Sequence, residues 1–280
     1  MKIVRVFFIV VLVFVILMPY TTAKPGDYEY KIVQYVALGD SIAGGYGLED
    51  VQRESYVGRV AAALEDRYGA VRLKNFGENG LRSDELLDIL EDEDNEQHDS
   101  YMEAIQKADL ITLSIGSNDL LQYLSRDVDL QDFKKNGDRL FTEACQKFSQ
   151  NIPGILDIIS QNAPNAQLFV NNIYNPCNDI SFGISEEMAK NLEQMAEQYI
   201  QKLNKGFETK RVQSVFNPKK KSKKSQKYAL VDVKGAFENS DEKLINMMIS
   251  WRSIDPHPNR EGHRVIAELI IPQIDLDKEK

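Results

Sequence analysis

A chain of 280 residues, 42% apolar and 28% charged, has the material for a substantial core and suits one large α/β domain. Its formal charge of −9 argues against nucleic acid as a partner, because a phosphate-binding face needs an excess of Lys and Arg.

The first residues read as a targeting segment. Lys2 and Arg5 precede an unbroken apolar run over residues 6–18, and small residues end at Ala23. Residues 1–23 are predicted to be a signal peptide cleaved after Ala23, leaving residues 24–280 as a single domain of a secreted protein. The run is short of the ~20 residues that cross a bilayer as a helix, so a tether through the uncleaved segment is the alternative.

Residues 33–38 form a short apolar run ending at a glycine, as a buried strand does. A helix is predicted over 54–68, stopped by Gly69, and a second strand over 71–76. Ser83 is expected to cap a short helix over 84–90. Strands follow at 110–115, 167–173 and 228–233. Between them lie helical patterns over 139–160, interrupted by Pro153, and over 185–207, where Met188, Leu192, Met195, Tyr199 and Leu203 read as a core stripe. A last helix spans 261–271. The alternation implies a parallel sheet of about five strands with helices on both faces, its site beyond the carboxyl ends of the strands.

Two charge runs, acidic over 91–99 and basic over 219–227, read as solvated loops. The second, with Lys219, Lys220, Lys221, Lys223, Lys224 and Lys227, could instead contact an anionic surface such as lipid headgroups or cell-wall polymer. Cys145 and Cys177 could pair after export or remain two separate, partly buried thiols, and the sequence leaves both open.

Three patches carry chemistry: Gly39-Asp40-Ser41, Gly116-Ser117-Asn118-Asp119 and Asp255-Pro256-His257-Pro258-Asn259. A serine, an amide side chain and a histidine preceded by an acid are what ester hydrolysis needs: a nucleophile, an oxyanion donor and a base. Ser41 and Asn118 both follow predicted strands, so both belong at one sheet edge. The only other histidines are His98, expected in solvent within the acidic run, and His263, expected to pack or cap in the last helix. Asp40 and Asp119 are expected to hold their turns through backbone N–H groups. No Gly-x-Ser-x-Gly elbow occurs. There is no His/Cys cluster of metal-ligand spacing, and no cofactor is called for.

With Asn75-Phe76-Gly77-Glu78-Asn79-Gly80 added, the four patches resemble, in order, the four blocks of the SGNH (GDSL) hydrolase family. The resemblance covers essentially all of residues 24–280. It implies a three-layer, flavodoxin-like α/β domain in which Ser41 is the nucleophile and His257 the base, oriented by Asp255. The N–H groups of Ser41 and Gly80 and the amide of Asn118 would form the oxyanion hole, with Gly77 the competing glycine. One departure is plain. The family separates acid and histidine by two residues, whereas only Pro256 lies between Asp255 and His257, and Ile254 holds the usual acid position. A backbone carbonyl orienting the imidazole is therefore the alternative to Asp255.

The expected activity is hydrolysis of carboxylic esters, lysophospholipids or other acyl esters among them, by a monomer working through an acyl-serine. The rivals are a carbohydrate acetylesterase and a secreted binding protein on the same fold. Leu120, Leu121, Tyr123 and Leu124 could wall an acyl chain or form the buried face of a short helix.

Overall fold

The computed structural model describes residues 32–124, 130–177, 186–208, 228–246, 249–250 and 253–277. The predicted signal peptide and the lysine run 219–227 lie outside them.

In chain order, β1 (Ile32–Gly39) leads through α1 (Ser41–Gly44) and α2 (Val51–Glu54) to α3 (Tyr56–Tyr68) and β2 (Ala70–Gly77). Next come α4 (Ser83–Glu91), α5 (His98–Lys107), β3 (Leu110–Ser114), α6 (Ser117–Leu121) and α7 (Leu130–Asn162). The chain continues with β4 (Gln167–Asn171), α8 (Glu186–Phe207), β5 (Tyr228–Val231) and α9 (Val233–Glu238). A two-stranded hairpin, β6 (Ile249–Ser250) with β7 (Ser253–Ile254), precedes α10 (Arg260–Ile270).

The five long strands form one parallel sheet in the order β2-β1-β3-β4-β5. This is the flavodoxin-like order, and its direction of winding reverses between β1 and β3, where a crevice opens beyond the strand ends. β1 lies between β2 and β3 and is apolar on both sides. Val33, Tyr35 and Ala37 enter one core with α3, α9 and α10, while Val36 and Leu38 enter the other with α4, α5, α7 and α8. The result is the three-layer α/β domain expected.

The local signals mostly operate as read. Gly69 ends α3 with a φ of +93°. The predicted helix 54–68 is, however, two helices joined at Ser55, whose extended backbone and Oγ, accepting from Gly58 N–H (3.0 Å), restart it as a cap. α7 runs through Pro153 without interruption. The fully buried Ile152, Ile155, Leu156 and Ile159 outweigh the one hydrogen bond that a proline removes. The stripe of α8 is buried at Tyr199 and Leu203, but Met195, a turn earlier where the stripe leaves the core, is 38% exposed.

Cys145 and Cys177 are both free. Cys145 is buried in the core on one face of the sheet and Cys177 packs against the core on the other, so the sheet lies between the thiols. Burial pushes each thiol up to about 11. His98 is half-buried rather than in solvent, because its Nδ1–H donates to Ile89 O (3.0 Å) at the start of α5. The acidic residues around it are exposed, as expected for a solvated turn. Among the described residues no helix is long and apolar enough to cross a membrane.

Candidate active site

At the exit of β1 the backbone turns sharply. Gly39 has φ +132°, and a Cβ there would lie 1.9 Å from Ser114 O, so only glycine lets β1 and β3 close together. Asp40 N–H donates to Ser114 O (2.9 Å), and Asp40 Oδ1 accepts from Ile42 N–H (3.0 Å), capping α1. Ser41 is thereby fixed as the first residue of a one-turn helix at the switch point.

The second block is bound to that turn. Asn75 Nδ2 donates to Ala43 O (2.9 Å), and a Cβ on Gly77 would meet Gly44 N at 2.1 Å. Gly77 is therefore a packing glycine. Gly80 differs: its φ is +85° and nothing lies within 4 Å of where a Cβ would stand. Of the two competing glycines, Gly80 has an open side toward which an oxyanion can come. The N–H groups of Ser41 and Gly80 have no protein partner among the described residues.

The third block is bound to the second. Asn118 Nδ2 donates to Leu81 O (3.0 Å), one residue beyond Gly80, which leaves a second amide hydrogen to offer. Asp119 accepts from both Ser83 Oγ (2.5 Å) and Ser83 N–H (3.1 Å). Ser83 is thus not the cap that its sequence position suggested; it lies inside α4, and the carboxylate of Asp119 reaches across to its first turn. This fixes the strand-end loops of β2 and β3 to each other.

The fourth block completes a chain of contacts. His257 Nε2 lies 2.8 Å from Ser41 Oγ, and His257 Nδ1 lies 2.6 Å from Asp255 Oδ1. The shortened spacing closes because Oδ1 also accepts the backbone N–H of His257 (3.1 Å), folding the loop back on itself. A carboxylate only accepts, so Nδ1 carries the proton and Nε2 is free to take one from Ser41. Tyr174 Oη donates to Pro256 O (2.6 Å), and Asn259 caps α10 just beyond. Ser41, His257 and Asp255 thus meet, with Gly80 and Asn118 carried on the adjoining loops.

His263 stands apart. It is fully buried, its Nδ1 accepts from Tyr56 N–H (3.2 Å), and burial pushes it down to about 3. It is neutral and packed, as its place in the last helix suggested. Burial likewise pushes the Asp40 carboxyl up to about 7, opposed by the Ile42 N–H and helped by the charge of Asp119. Asp119 rises to about 6 from burial, against its bonds from Ser83.

Three neighbours were not singled out from sequence. The Tyr46 ring lies 4.5 Å from the His257 imidazole and is 49% exposed. Its position in a glycine-rich turn after the serine was the available signal. Tyr174 and Asn246, which donates through Nδ2 to Asp255 Oδ2 (3.2 Å), lie in no motif. Leu120 is buried and Tyr123 packs against the core, as the buried face of a short helix does; Leu121 is half-buried, and the side chain of Leu124 lies outside the described residues. Among the described residues no group of three or more His, Cys, Asp or Glu is placed to hold a metal ion.

A flavodoxin-like sheet with a Ser–His–Asp chain at its switch point has the architecture of an ester hydrolase. The chain belongs to the GDSL-like Lipase/Acylhydrolase family, whose model matches residues 37–265. It is 27% identical to the Bacillus subtilis protein YpmR over 259 residues, covering 90% of this chain and 86% of that one. It is 33% identical over 150 residues to the spore germination lipase LipC of Bacillus licheniformis, covering 51% of this chain and 65% of LipC. Among solved structures, the extracellular lipase of Streptomyces rimosus shares the fold at 19% identity with a TM-score of 0.57, covering 86% of this chain and 98% of that one. The lipase Lip_vut3 from a goat rumen metagenome does so at 23% identity and 0.55, covering 85% and 95%.

Proposed function

We propose that the protein hydrolyses carboxylic esters of lipids through an acyl-serine intermediate. The observation that carries this reading is the unbroken contact from Ser41 Oγ through the imidazole of His257 to Asp255. Ser41 Oγ attacks the acyl carbon while its proton passes to His257 Nε2. The negative charge that develops on the carbonyl oxygen is met by the N–H groups of Ser41 and Gly80 and the free amide hydrogen of Asn118. The tetrahedral intermediate expels the alcohol, which takes the proton from His257. Water then repeats the sequence on the acyl-serine, releasing the acid and restoring Ser41. Asp255 holds Nδ1–H throughout and balances the imidazolium.

The lipid substrate is supported by the likeness to the lipase LipC and by apolar surface beside the serine: Tyr46 and Val51 are both exposed, and Val51 borders Gly45. The apolar leader supports export, and the lysines of 219–227 would favour an anionic lipid or polymer surface. A fluorescent organophosphonate tests the reaction. It should label Ser41, and Ser41→Ala should abolish both labelling and p-nitrophenyl ester hydrolysis while leaving the melting temperature within a few degrees. An adduct on Ser117 or any other serine would overturn the assignment, and an acyl-chain-length profile peaking at acetate would overturn the lipid substrate.

A further inference from the structure

The segment 243–246 runs beside the loop 255–259 and holds its backbone. Asn246 N–H donates to His257 O (2.9 Å), Asn259 N–H to Leu244 O (2.9 Å) and Asn259 Nδ2 to Lys243 O (2.7 Å). Ile245 and Pro258 form an antiparallel bridge between them. None of these bonds uses the side chain of Asn246. That side chain turns instead to the acid, Nδ2 donating to Asp255 Oδ2 (3.2 Å), the oxygen that His257 does not touch. Gly47, in the turn that carries Tyr46, lies beside this amide: a Cβ there would stand at ordinary contact distance, 3.5 Å, from the same Nδ2.

The geometry matters because of the short spacing. Asp255 reaches its histidine from only two residues away, and its side chain is 31% exposed. Rotation about Cβ–Cγ, a broad torsion, would turn Oδ1 away from Nδ1 toward water. An N–H donor on the far oxygen opposes that rotation.

We propose that Asn246 is a positioning residue for Ser41, His257 and Asp255, holding Asp255 Oδ2 so that Oδ1 stays on His257 Nδ1. This rests on the ester-hydrolase reading above. Outer partners of this kind typically change function about 10- to 100-fold when removed from metal sites, and a similar lower bound is expected here.

Asn246→Ala and Asn246→Asp both keep the backbone N–H that holds the loop. In Asn246→Ala, kcat should fall about tenfold with KM within about twofold. In an Asp255→Asn background the same change should cost less than about twofold, because the group it acts through is already gone. Asn246→Asp, which sets a second carboxylate against Oδ2, should lose more than Asn246→Ala. The downfield proton resonance of His257 Nδ1–H, read by NMR without substrate, should broaden or vanish in both variants. An unchanged kcat, an unchanged Nδ1–H resonance, or losses that multiply in the double variant would each overturn the proposal. A wild-type protein that cleaves no ester, but whose Nδ1–H resonance is lost in Asn246→Ala, would sink the ester reading and leave the positioning role standing.

Discussion

Replacing Asp255 by Asn changes one atom in a carboxylate whose oxygens accept three hydrogen bonds. Oδ1 accepts from His257 Nδ1 (2.6 Å) and from His257 N–H (3.1 Å), and Oδ2 accepts from Asn246 Nδ2 (3.2 Å). An asparagine has a single acceptor oxygen, and two arrangements follow. If the amide oxygen takes the Oδ1 place, the new NH₂ faces that of Asn246, and the charge that balanced the imidazolium is lost. A charge-assisted hydrogen bond contributes about 1.5–3 kcal/mol, so this arrangement costs roughly 10- to 150-fold. If the NH₂ takes the Oδ1 place, only an imidazole unprotonated at Nδ1 can accept it. The proton then sits on Nε2, which can no longer take one from Ser41, and the expected loss rises toward about 10⁴-fold. Steady-state hydrolysis of p-nitrophenyl butyrate by Asp255→Asn should therefore show kcat down by at least about tenfold and by as much as about 10⁴-fold, with KM little changed and the melting temperature preserved. A kcat within about threefold of wild type would refute the triad and leave a Ser41–His257 pair whose imidazole is oriented by other means.

Two further outcomes are expected. Asn118→Ala should lower kcat by roughly 10²–10³-fold with little change in KM, since an oxyanion donor acts mainly in the transition state; a variant that loses binding but keeps kcat would make Asn118 a ground-state contact. Asp40→Asn concerns stability against pH. Because burial raises the folded carboxyl to about 7, wild type binds this proton more tightly folded than unfolded, so its stability contribution is present at acid pH and lost as pH rises from about 4 through about 7. The asparagine side chain has the same shape, can still cap Ile42 and does not titrate. Urea unfolding should show Asp40→Asn gaining on wild type between pH 5 and pH 8, by up to about 2–3 kcal/mol, and a difference that stays constant with pH would refute the raised carboxyl.

Much of the fold is legible in local chemistry. The apolar run at 33–38, Gly69 after its helix and the alternation of strand and helix all act over a few residues, so the parallel sheet follows from them. The four blocks are equally legible, because a strand end, a turn glycine and a capping side chain are short-range requirements. Where local reading failed, a distant group had intervened. Ser83 looked like a cap and is instead a donor to Asp119, which arrives from another strand end. Pro153 looked like an interruption, but the buried face of α7 outweighs it. The two cysteines, which the sequence left open as a pair or as separate thiols, are kept apart by the sheet that lies between them.

Sequence by itself determined which residue types are available for ester chemistry and at which strand ends they stand, since both depend on neighbours along the chain. Only the tertiary structure decided that His257 meets a serine 216 residues away, while His263, six residues further on, is packed neutral against Tyr56. It also decided that an acid two residues before its histidine can still reach Nδ1, and that Asn246 stands behind that acid. Distances of a few tenths of an ångström between remote segments are set by how the sheet and its two cores pack, and no run of neighbouring residues encodes them.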